Sequence, residues 1–248
     1  IESAHDNIDA LEKTDPKYYF KTLSQASRVW QGMTTLGSDV YACVYGGDIY
    51  KQTGGTGNFV ALSQAALNWT SMTTLGSDVY ACVYGGDIYK QTGGTGNFVA
   101  LSQTSRYWFG MTTLGSDVYA CVFGGDIYKQ TGGTGNFVAL SQTSRYWQGM
   151  TTLGSDVYAC VNGGDIYKQT GGTGNFVALN QTSRGWFGMT TLGSDVYACV
   201  YGGDIYKQTG GTGNFVALSQ ASRNWRGMTT LNDSLYACAY DGSIYKHS

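Results

Sequence analysis

Residues 36–62 read LGSDVYACVYGGDIYKQTGGTGNFVAL, and residues 75–101 repeat that text letter for letter. The two copies start 39 residues apart (75 − 36 = 39). One tryptophan and one cysteine recur at the same step along the chain: Trp30, Trp69, Trp108, Trp147, Trp186 and Trp225, and Cys43, Cys82, Cys121, Cys160, Cys199 and Cys238. Self-similarity at this period is typical of a repeat architecture, and it indicates six copies of one structural unit.

Each repeat predicts four short β-strands and no helix. In the first copy the strands cover residues 30–36, 40–45, 48–52 and 59–62. The double glycine at residues 46–47 supplies the positive φ angles of a tight turn between the second and third strands. The second strand is apolar and aromatic without a polar interruption, which indicates a sheet covered on both faces. The sequence therefore predicts an all-β fold in which four-stranded antiparallel blades pack against one another.

The two ends of the repeat array complement each other. The last repeat ends at Ser248, which aligns with Thr53, so it lacks a fourth strand, whereas residues 20–25, FKTLSQ, lie one period before residues 59–64, FVALSQ. A closed ring needs its first and last segments to share one blade, while an open stack needs a polar cap at each end. We therefore predict a six-bladed β-propeller, in which residues 18–24 complete the blade formed by residues 225–248.

The predicted repeat array divides the chain into two regions. Residues 18–248 form the propeller, and residues 1–17 belong to no repeat. Within the latter, residues 3–13 fit a short capped helix. A helix of this length is marginal on its own, so we expect residues 1–17 to form a flexible leader.

Charge and composition exclude several partner classes. Charged residues make up 13% of the chain and the net charge is −2, so a nucleic-acid interface and a basic membrane patch both lack their electrostatic footprint. No apolar run approaches the length of a membrane span. We expect a monomeric protein that neither binds nucleic acid nor inserts into a membrane.

Cysteine and aspartate, the recurring residues with reactive side chains, predict structural roles. Equivalent cysteines lie on different blades, so we expect them beyond bridging distance and buried as small apolar thiols. Asp39 falls in a turn and Asp48 follows the double glycine, where a carboxylate accepts hydrogen bonds from nearby backbone N–H groups. Catalysis needs unlike groups that converge, whereas repeats place the same group six times around an axis. We expect no enzymatic activity, no metal and no cofactor.

The repeats differ from one another most strongly at three positions. The residue before each tryptophan is Val29, Asn68, Tyr107, Tyr146, Gly185 or Asn224. The residue after it is Gln31, Thr70, Phe109, Gln148, Phe187 or Arg226. The end of the second strand is Tyr45, Tyr84, Phe123, Asn162, Tyr201 or Tyr240. Because strands alternate in direction, all three positions emerge on one face of the ring, which we call the variable face. The LGSD and TGGTGN segments emerge on the other, the constant face.

The variable face carries the residues from which we predict a ligand site. Flat aromatic rings stack on the C–H face of a sugar, while arginine and amide groups hydrogen-bond its hydroxyls. The candidate ligand-binding residues are Trp30, Trp69, Trp108, Trp147, Trp186 and Trp225; Arg28, Arg106, Arg145, Arg184 and Arg223; and Tyr45, Tyr84, Tyr201 and Tyr240. Leu67 replaces the arginine in the second repeat, so a site there should be weaker or absent.

An alternative role is open for the same side chains. One bulky ring at each blade junction is ordinary packing, so the tryptophans can equally form core wedges between blades. The arginines can equally hydrogen-bond loop carbonyls.

The repeat resembles a known group of proteins. The pattern Trp30-x-x-Met33, with DVYACV at residues 39–44, GDIYK at residues 47–51 and DGSIYK at residues 241–246, is similar to the tectonin and tachylectin group of β-propeller lectins. The resemblance covers residues 18–248. It implies sugar binding, commonly to amino sugars, in pockets between blades, and often a role in defence or adhesion.

Two classes of function therefore stay open. The first is a multivalent lectin that binds glycans on a cell or particle surface, with an extracellular, virion or cell-surface location. Six weak copies of a site would gain avidity against such a surface. The second is a structural or protein-binding propeller, including an engineered or recently amplified symmetric repeat protein with no specific ligand.

Overall fold

The computed structural model describes residues 19–247, which form an all-β protein. Within this range the structure contains 24 strands, five single-turn 3₁₀ segments and no α-helix. No helix of the described chain has the length and apolar character needed to cross a membrane. The predicted leader over residues 1–17 lies outside the described residues.

Two long strands per repeat form the inner part of the molecule. The first long strands are Arg28–Leu36, Leu67–Leu75, Arg106–Leu114, Arg145–Leu153, Arg184–Leu192 and Arg223–Leu231. The second long strands are Asp39–Gly47, Asp78–Gly86, Asp117–Gly125, Asp156–Gly164, Asp195–Gly203 and Ser234–Gly242. Both are rich in β-branched and aromatic residues, which favour extended backbone. They pair antiparallel within each repeat, for example Thr34 with Tyr41 and Leu36 with Asp39.

Two short strands per repeat complete each unit on the outside. The third strands are Ile49–Gln52, Ile88–Gln91, Ile127–Gln130, Ile166–Gln169, Ile205–Gln208 and Ile244–His247. The fourth strands are Val60–Ala61, Val99–Ala100, Val138–Ala139, Val177–Ala178 and Val216–Ala217. Single 3₁₀ turns join them at Thr53–Gly55, Thr92–Gly94, Thr131–Gly133, Thr170–Gly172 and Thr209–Gly211. The fourth strand is shorter than the predicted residues 59–62, because only Val60 and Ala61 pair with the third strand. Phe59 precedes the strand and is buried in the core.

The twelve long strands form one closed barrel. The second long strand of each repeat continues past its own hairpin and pairs with the first long strand of the next repeat, as Tyr45 does with Asn68 and Gly47 with Leu67. The second strand was predicted to end at Tyr45, and this pairing extends it by two residues. Gly46 has φ 68°. A side chain at Gly47 would collide with Val44, so the double glycine allows both the turn and the cross-repeat ladder.

The barrel closes between the first and last repeats, as the sequence predicts. The strand Lys21–Thr22 pairs with Ile244–His247, with Lys21 opposite Lys246 and Thr22 opposite Tyr245. Further in, Arg28 pairs with Gly242. This joint uses the hydrogen bond seen between other repeats: the Phe20 N–H donates to Gln220 Oε1 at 3.0 Å.

The core is repeated around the ring. Each tryptophan is 1% exposed and packs with a tyrosine and a phenylalanine of its own repeat, as Trp30 does with Tyr50 and Phe59. We call these six positions the tryptophan layer. The cysteines are fully buried and free. Cys121 Sγ accepts a hydrogen bond from the Gly110 N–H and donates one to the carbonyl of Gln148 in the next repeat.

Candidate functional site

The variable face contains a cavity on the ring axis, which we call the axial basin. Its volume is about 520 Å³, within the range of small-ligand sites. The basin is lined by Gln31, Tyr45, Tyr84, Phe109, Phe123, Gln148, Asn162, Gly185, Phe187, Tyr201, Arg226 and Tyr240. These residues come from all six repeats and meet where the six second strands end.

Each of these lining residues occupies one of the three positions at which the repeats differ. Six come from the end of the second strand, five follow a tryptophan, and Gly185 precedes one. The unvaried part of the repeat contributes nothing to the basin wall. Eleven of the twelve residues at two of these positions therefore meet in one cavity.

Aromatic rings form a continuous wall on one side of the basin. The Phe109 ring lies 5.3 Å from Phe187, 5.8 Å from Phe123 and 6.2 Å from Tyr84, measured between centroids. Tyr84 also stacks on Tyr107 at 4.6 Å across the joint between two repeats. Such spacing is favourable between rings, so these side chains form one packed aromatic cluster in the basin wall.

Among residues 19–247, Arg226 is the one charged residue that lines the basin. Its guanidinium carbon lies 4.0 Å from the centroid of Phe187, 4.5 Å from Tyr201 and 4.7 Å from Tyr240. Burial lowers the pKa of Arg226 below its usual value, and Tyr201 partly offsets this. The side chain stays protonated near neutral pH, since the guanidinium pKa starts far above that range.

Two buried amides lie between the basin and the central channel below it. Gln31 and Gln148 line both cavities, and each has a side-chain oxygen without a hydrogen-bond partner. The channel has a volume of about 120 Å³, and its wall includes a threonine and a methionine from the first long strands, as at Thr34 and Met33. Arg226 also reaches this channel, and its Nε is buried without a partner.

The predicted tryptophans lie in the core and not at the surface. Each is 1% exposed, so its indole faces are covered by protein. Trp69 Nε1 donates to the carbonyl of Ala65 at 3.1 Å, and Trp30 and Trp186 make the equivalent bond. The structure thus places these six rings as packing wedges, the alternative that the sequence left open.

The predicted arginines lie outside the basin. Each guanidinium stacks on a tyrosine of its own repeat; Arg145, for example, is 4.6 Å from the Tyr167 centroid. The equivalent pairs are Arg28–Tyr50, Arg106–Tyr128, Arg184–Tyr206 and Arg223–Tyr245. A polar cavity of about 150 Å³ beside Arg145 and Trp147 is also lined by Gln142 and Asn175.

The four predicted tyrosines do line the basin, together with residues that sequence reasoning missed. Tyr45, Tyr84, Tyr201 and Tyr240 all belong to its wall. Phe109, Phe123, Phe187, Arg226, Gln31, Gln148, Asn162 and Gly185 were absent from the predicted site. Their signal was present in the sequence, since all of them occupy the varied positions.

The constant face carries paired charges. Lys129 Nζ lies 2.9 Å from Asp117 Oδ2, and four other repeats have the same ion pair. Asp117 also accepts a hydrogen bond from the Gly132 N–H, and this bond, with Lys129, lowers the pKa of the carboxyl group. Asp48 accepts hydrogen bonds from the backbone N–H groups of Ile49 and Gln64, both at 2.7 Å. Both aspartates therefore stabilise turns.

The remaining reactive groups are buried or dispersed. Burial raises the pKa of the Cys82 thiol to about 12, so it stays protonated. Across residues 19–247, no three His, Cys, Asp or Glu side chains lie close enough together to hold a metal ion.

The sequence matches no protein-family model and no curated protein. Solved structures are similar in fold. YCF48 from Cyanidioschyzon merolae has a TM-score of 0.65 at 12% identity, covering 92% of this chain and 98% of that chain. YCF48 bound to D1 peptide has a TM-score of 0.61 at 15% identity, covering 88% and 76%.

Two further proteins of different kinds are similar. The gluconolactonase XC5397 from Xanthomonas campestris has a TM-score of 0.71 at 8% identity, covering 91% of this chain and 87% of that chain. The computationally designed Ika8 protein has a TM-score of 0.60 at 15% identity, covering 88% and 70%. At these identities the likeness shows the fold alone: an all-β closed barrel with propeller-like neighbours.

Proposed function

We propose that this chain is a non-enzymatic binding ring, a six-bladed propeller of four-stranded blades that holds one ligand in the axial basin. On this proposal the repeated unit supplies the scaffold, and the varied positions supply recognition. The ligand is a small organic molecule, or the end of a peptide, with a flat apolar group that fits the aromatic wall.

One observation carries the proposal: every residue of the basin wall comes from a varied position. Packing of identical units needs no such variation, and the tryptophan layer shows none. A concave site lined by aromatic rings with a few polar groups is the usual form of a small-ligand site. Two neighbours agree with a repeat ring of this kind, since Ika8 is a designed protein and YCF48 has been solved with a bound peptide.

The absence of catalysis is part of the same proposal. The basin holds phenyl, phenol, amide and guanidinium groups, and no carboxylate, histidine or thiol among its lining residues. General acid–base catalysis needs groups whose pKa values are tuned near neutrality. The likeness to a gluconolactonase concerns the fold and does not extend to such groups.

A neutral fluorescent probe, N-phenyl-1-naphthylamine, tests the basin. We expect saturable binding that weakens at least about tenfold in the double variant Phe109→Gln/Phe187→Gln, because two apolar rings leave the wall. Glutamine is the natural residue at this position in two other repeats.

The matched control is Val138→Gln/Val177→Gln, which removes apolar groups that are 64% exposed on the outer strands. The control should bind the probe as the parent does. Unchanged affinity in the basin variant, or no saturable binding in the parent, would remove the basin as the binding site.

Sugar binding is a second candidate function, because a polar cavity lies beside Trp147. Gln142, Arg145 and Asn175 surround it, and Trp147 Nε1 has no hydrogen-bond partner. The resemblance to the tectonin and tachylectin group supports the same reading. A glycan array decides this candidate: binding that is lost in Arg145→Leu, the residue type found at Leu67, supports it, and no binding at high protein concentration rejects it.

A further inference from the structure

Arg226 breaks the symmetry of the basin. The same position holds glutamine, threonine or phenylalanine in the other five repeats. The five ion pairs found in the described chain join lysines to aspartates on the constant face, and none includes Arg226. Within the described part of the chain, no aspartate or glutamate lines the basin. The basin wall formed by these residues therefore contains one positive charge and no acidic partner for it.

The surroundings of Arg226 favour a bound anion. Three aromatic rings lie within 5 Å of the guanidinium carbon and remove water from its faces. Its buried Nε has no hydrogen-bond partner. A partly buried charge of this kind is costly unless it is paired, and an anion in the basin would pair it. The lowered pKa of Arg226 has the same origin, which is burial.

The planar guanidinium selects the type of anion. Its parallel N–H groups match the two oxygens of a carboxylate in a bidentate pair. A phosphate dianion would call for a second cation, and the basin wall supplies none. The neighbouring amides of Gln31 and Gln148 offer hydrogen bonds to further polar groups of the ligand.

We infer that the axial basin binds a carboxylate carried on a flat apolar group, once per ring, with Arg226 paired to the carboxylate and Phe109 and Phe187 against the flat group. This inference rests on the proposed basin site and adds the chemical class of its ligand. A free aromatic acid and the C-terminal residue of a peptide share this chemistry. The stoichiometry is one because the arginine occurs once.

Isothermal titration of the whole chain with 2-naphthoate and 2-naphthamide tests the inference. The two probes have the same ring system and differ in charge. We expect one naphthoate per chain and an affinity at least about tenfold above that of the amide, as for a hydrogen-bonded charge pair. The Arg226→Gln variant, which installs a residue native to two repeats, should remove the difference.

The control variant is Lys129→Gln, which removes a cation on the constant face, outside the basin, and should leave both affinities unchanged. A second pair of probes separates the two ligand sources: N-acetylphenylalanine, and a pentapeptide that ends in phenylalanine with either a free or an amidated C-terminus. Preference for the free-acid peptide over N-acetylphenylalanine assigns the basin to peptide ends, and the reverse assigns it to small acids.

The outcomes separate this inference from the proposed function. Equal affinity for naphthoate and naphthamide, or naphthoate binding that Arg226→Gln leaves unchanged, overturns the carboxylate assignment while N-phenyl-1-naphthylamine binding keeps the basin as a site. A stoichiometry of six per chain also overturns it. If neither naphthyl probe binds and the neutral fluorescent probe fails as well, the basin proposal itself falls.

Discussion

Trp186 and Phe187 are consecutive residues of one strand, yet they belong to different regions of the molecule. Trp186 packs between Tyr206 and Phe215 of its own repeat, with ring centroids 5.1 and 6.0 Å away. Phe187 faces the axis, where it contacts Phe109 and Arg226 from other repeats. The tryptophan layer thus joins strands within a unit, whereas the axial basin joins side chains from different units.

This difference explains which position is free to vary. A change in the tryptophan layer disturbs the packing of the unit that contains it, and all six copies are tryptophan. A change at the position directly after the tryptophan alters the shared basin, and the six repeats have four residue types at this position. The position that packs within a unit keeps one residue type in all six repeats, whereas the positions that line the basin vary.

The largest expected effect comes from substitutions at this adjacent pair. Trp186→Ala should lower the free energy of unfolding by about 3–5 kcal/mol, since it leaves a large cavity in a closely packed core. Phe187→Gln should cost roughly 1 kcal/mol, because glutamine already occupies the equivalent positions Gln31 and Gln148. Urea unfolding followed by circular dichroism measures both, and equal losses would erase the distinction between the two regions.

The next position of the first long strand, directly after Phe109 or Phe187, extends the comparison to the axis. A Cβ at Gly110 would collide with the carbonyl oxygen of Gln148 in the next repeat. Gly110→Ala should therefore cost about 1–3 kcal/mol by overpacking. Ser71 occupies the equivalent position and accepts a hydrogen bond from the Met111 N–H, so Ser71→Ala is the matched control with an expected loss of about 1 kcal/mol. A Gly110 variant as stable as the parent would show that the axis is looser than the structure indicates.

A smaller effect is expected on the constant face, where lysine and aspartate charges are paired, in contrast to the charge of Arg226 in the basin. The pKa of Asp117 is lowered in the folded state, so the stability it contributes is present above its unfolded pKa and is lost as pH falls through the folded value. Asp117→Asn should cost under about 1 kcal/mol at pH 7 and reduce the loss of stability on acidification. Urea midpoints at pH 7 and pH 3 test this, and parallel changes in parent and variant would contradict it.

The smallest effect concerns the arginines outside the basin. Arg145→Leu should cost no more than about 0.5–1 kcal/mol, since it removes one partly exposed cation–π contact with Tyr167. Leu67 shows that the fold accepts leucine at this position. Thermal unfolding of this variant, beside that of Trp186→Ala, compares the two residue types from which the sequence predicted a sugar site. A loss as large as that of the tryptophan variant would indicate a structural role for the arginine stack.

The sequence predicted the all-β repeat fold and the closing joint because both depend on period. Residues 20–25 repeat the text of residues 59–64, and this alone places them beside the last repeat. The cross-repeat ladder at Gly47 was missed, because the double glycine was interpreted only as a turn. Its pairing with Leu67 depends on how closely neighbouring units approach, which local sequence does not specify.

The site was harder to predict than the fold. Strand alternation places Trp186 and Phe187 on opposite faces, but the ladder is irregular between Trp186 and Met189, and alternation alone does not say which of the two faces turns toward the axis. Phe109 and Phe187 are two repeats apart in sequence and meet only across the axis. Variation marked these positions, whereas the prediction gave more weight to the recurring tryptophans and arginines.

The joint between the first and last repeats has a consequence for the chain path. The Phe20 N–H bond to Gln220 Oε1 and the Phe59 N–H bond to Gln25 Oε1 are both 3.0 Å long, so the closing seam repeats this hydrogen bond of an internal seam. A circular permutant opened within another Thr-Gly-Gly turn, with residues 19 and 247 joined by a linker, would keep this bond at every seam that stays intact. We therefore expect the permuted chain to close the same ring.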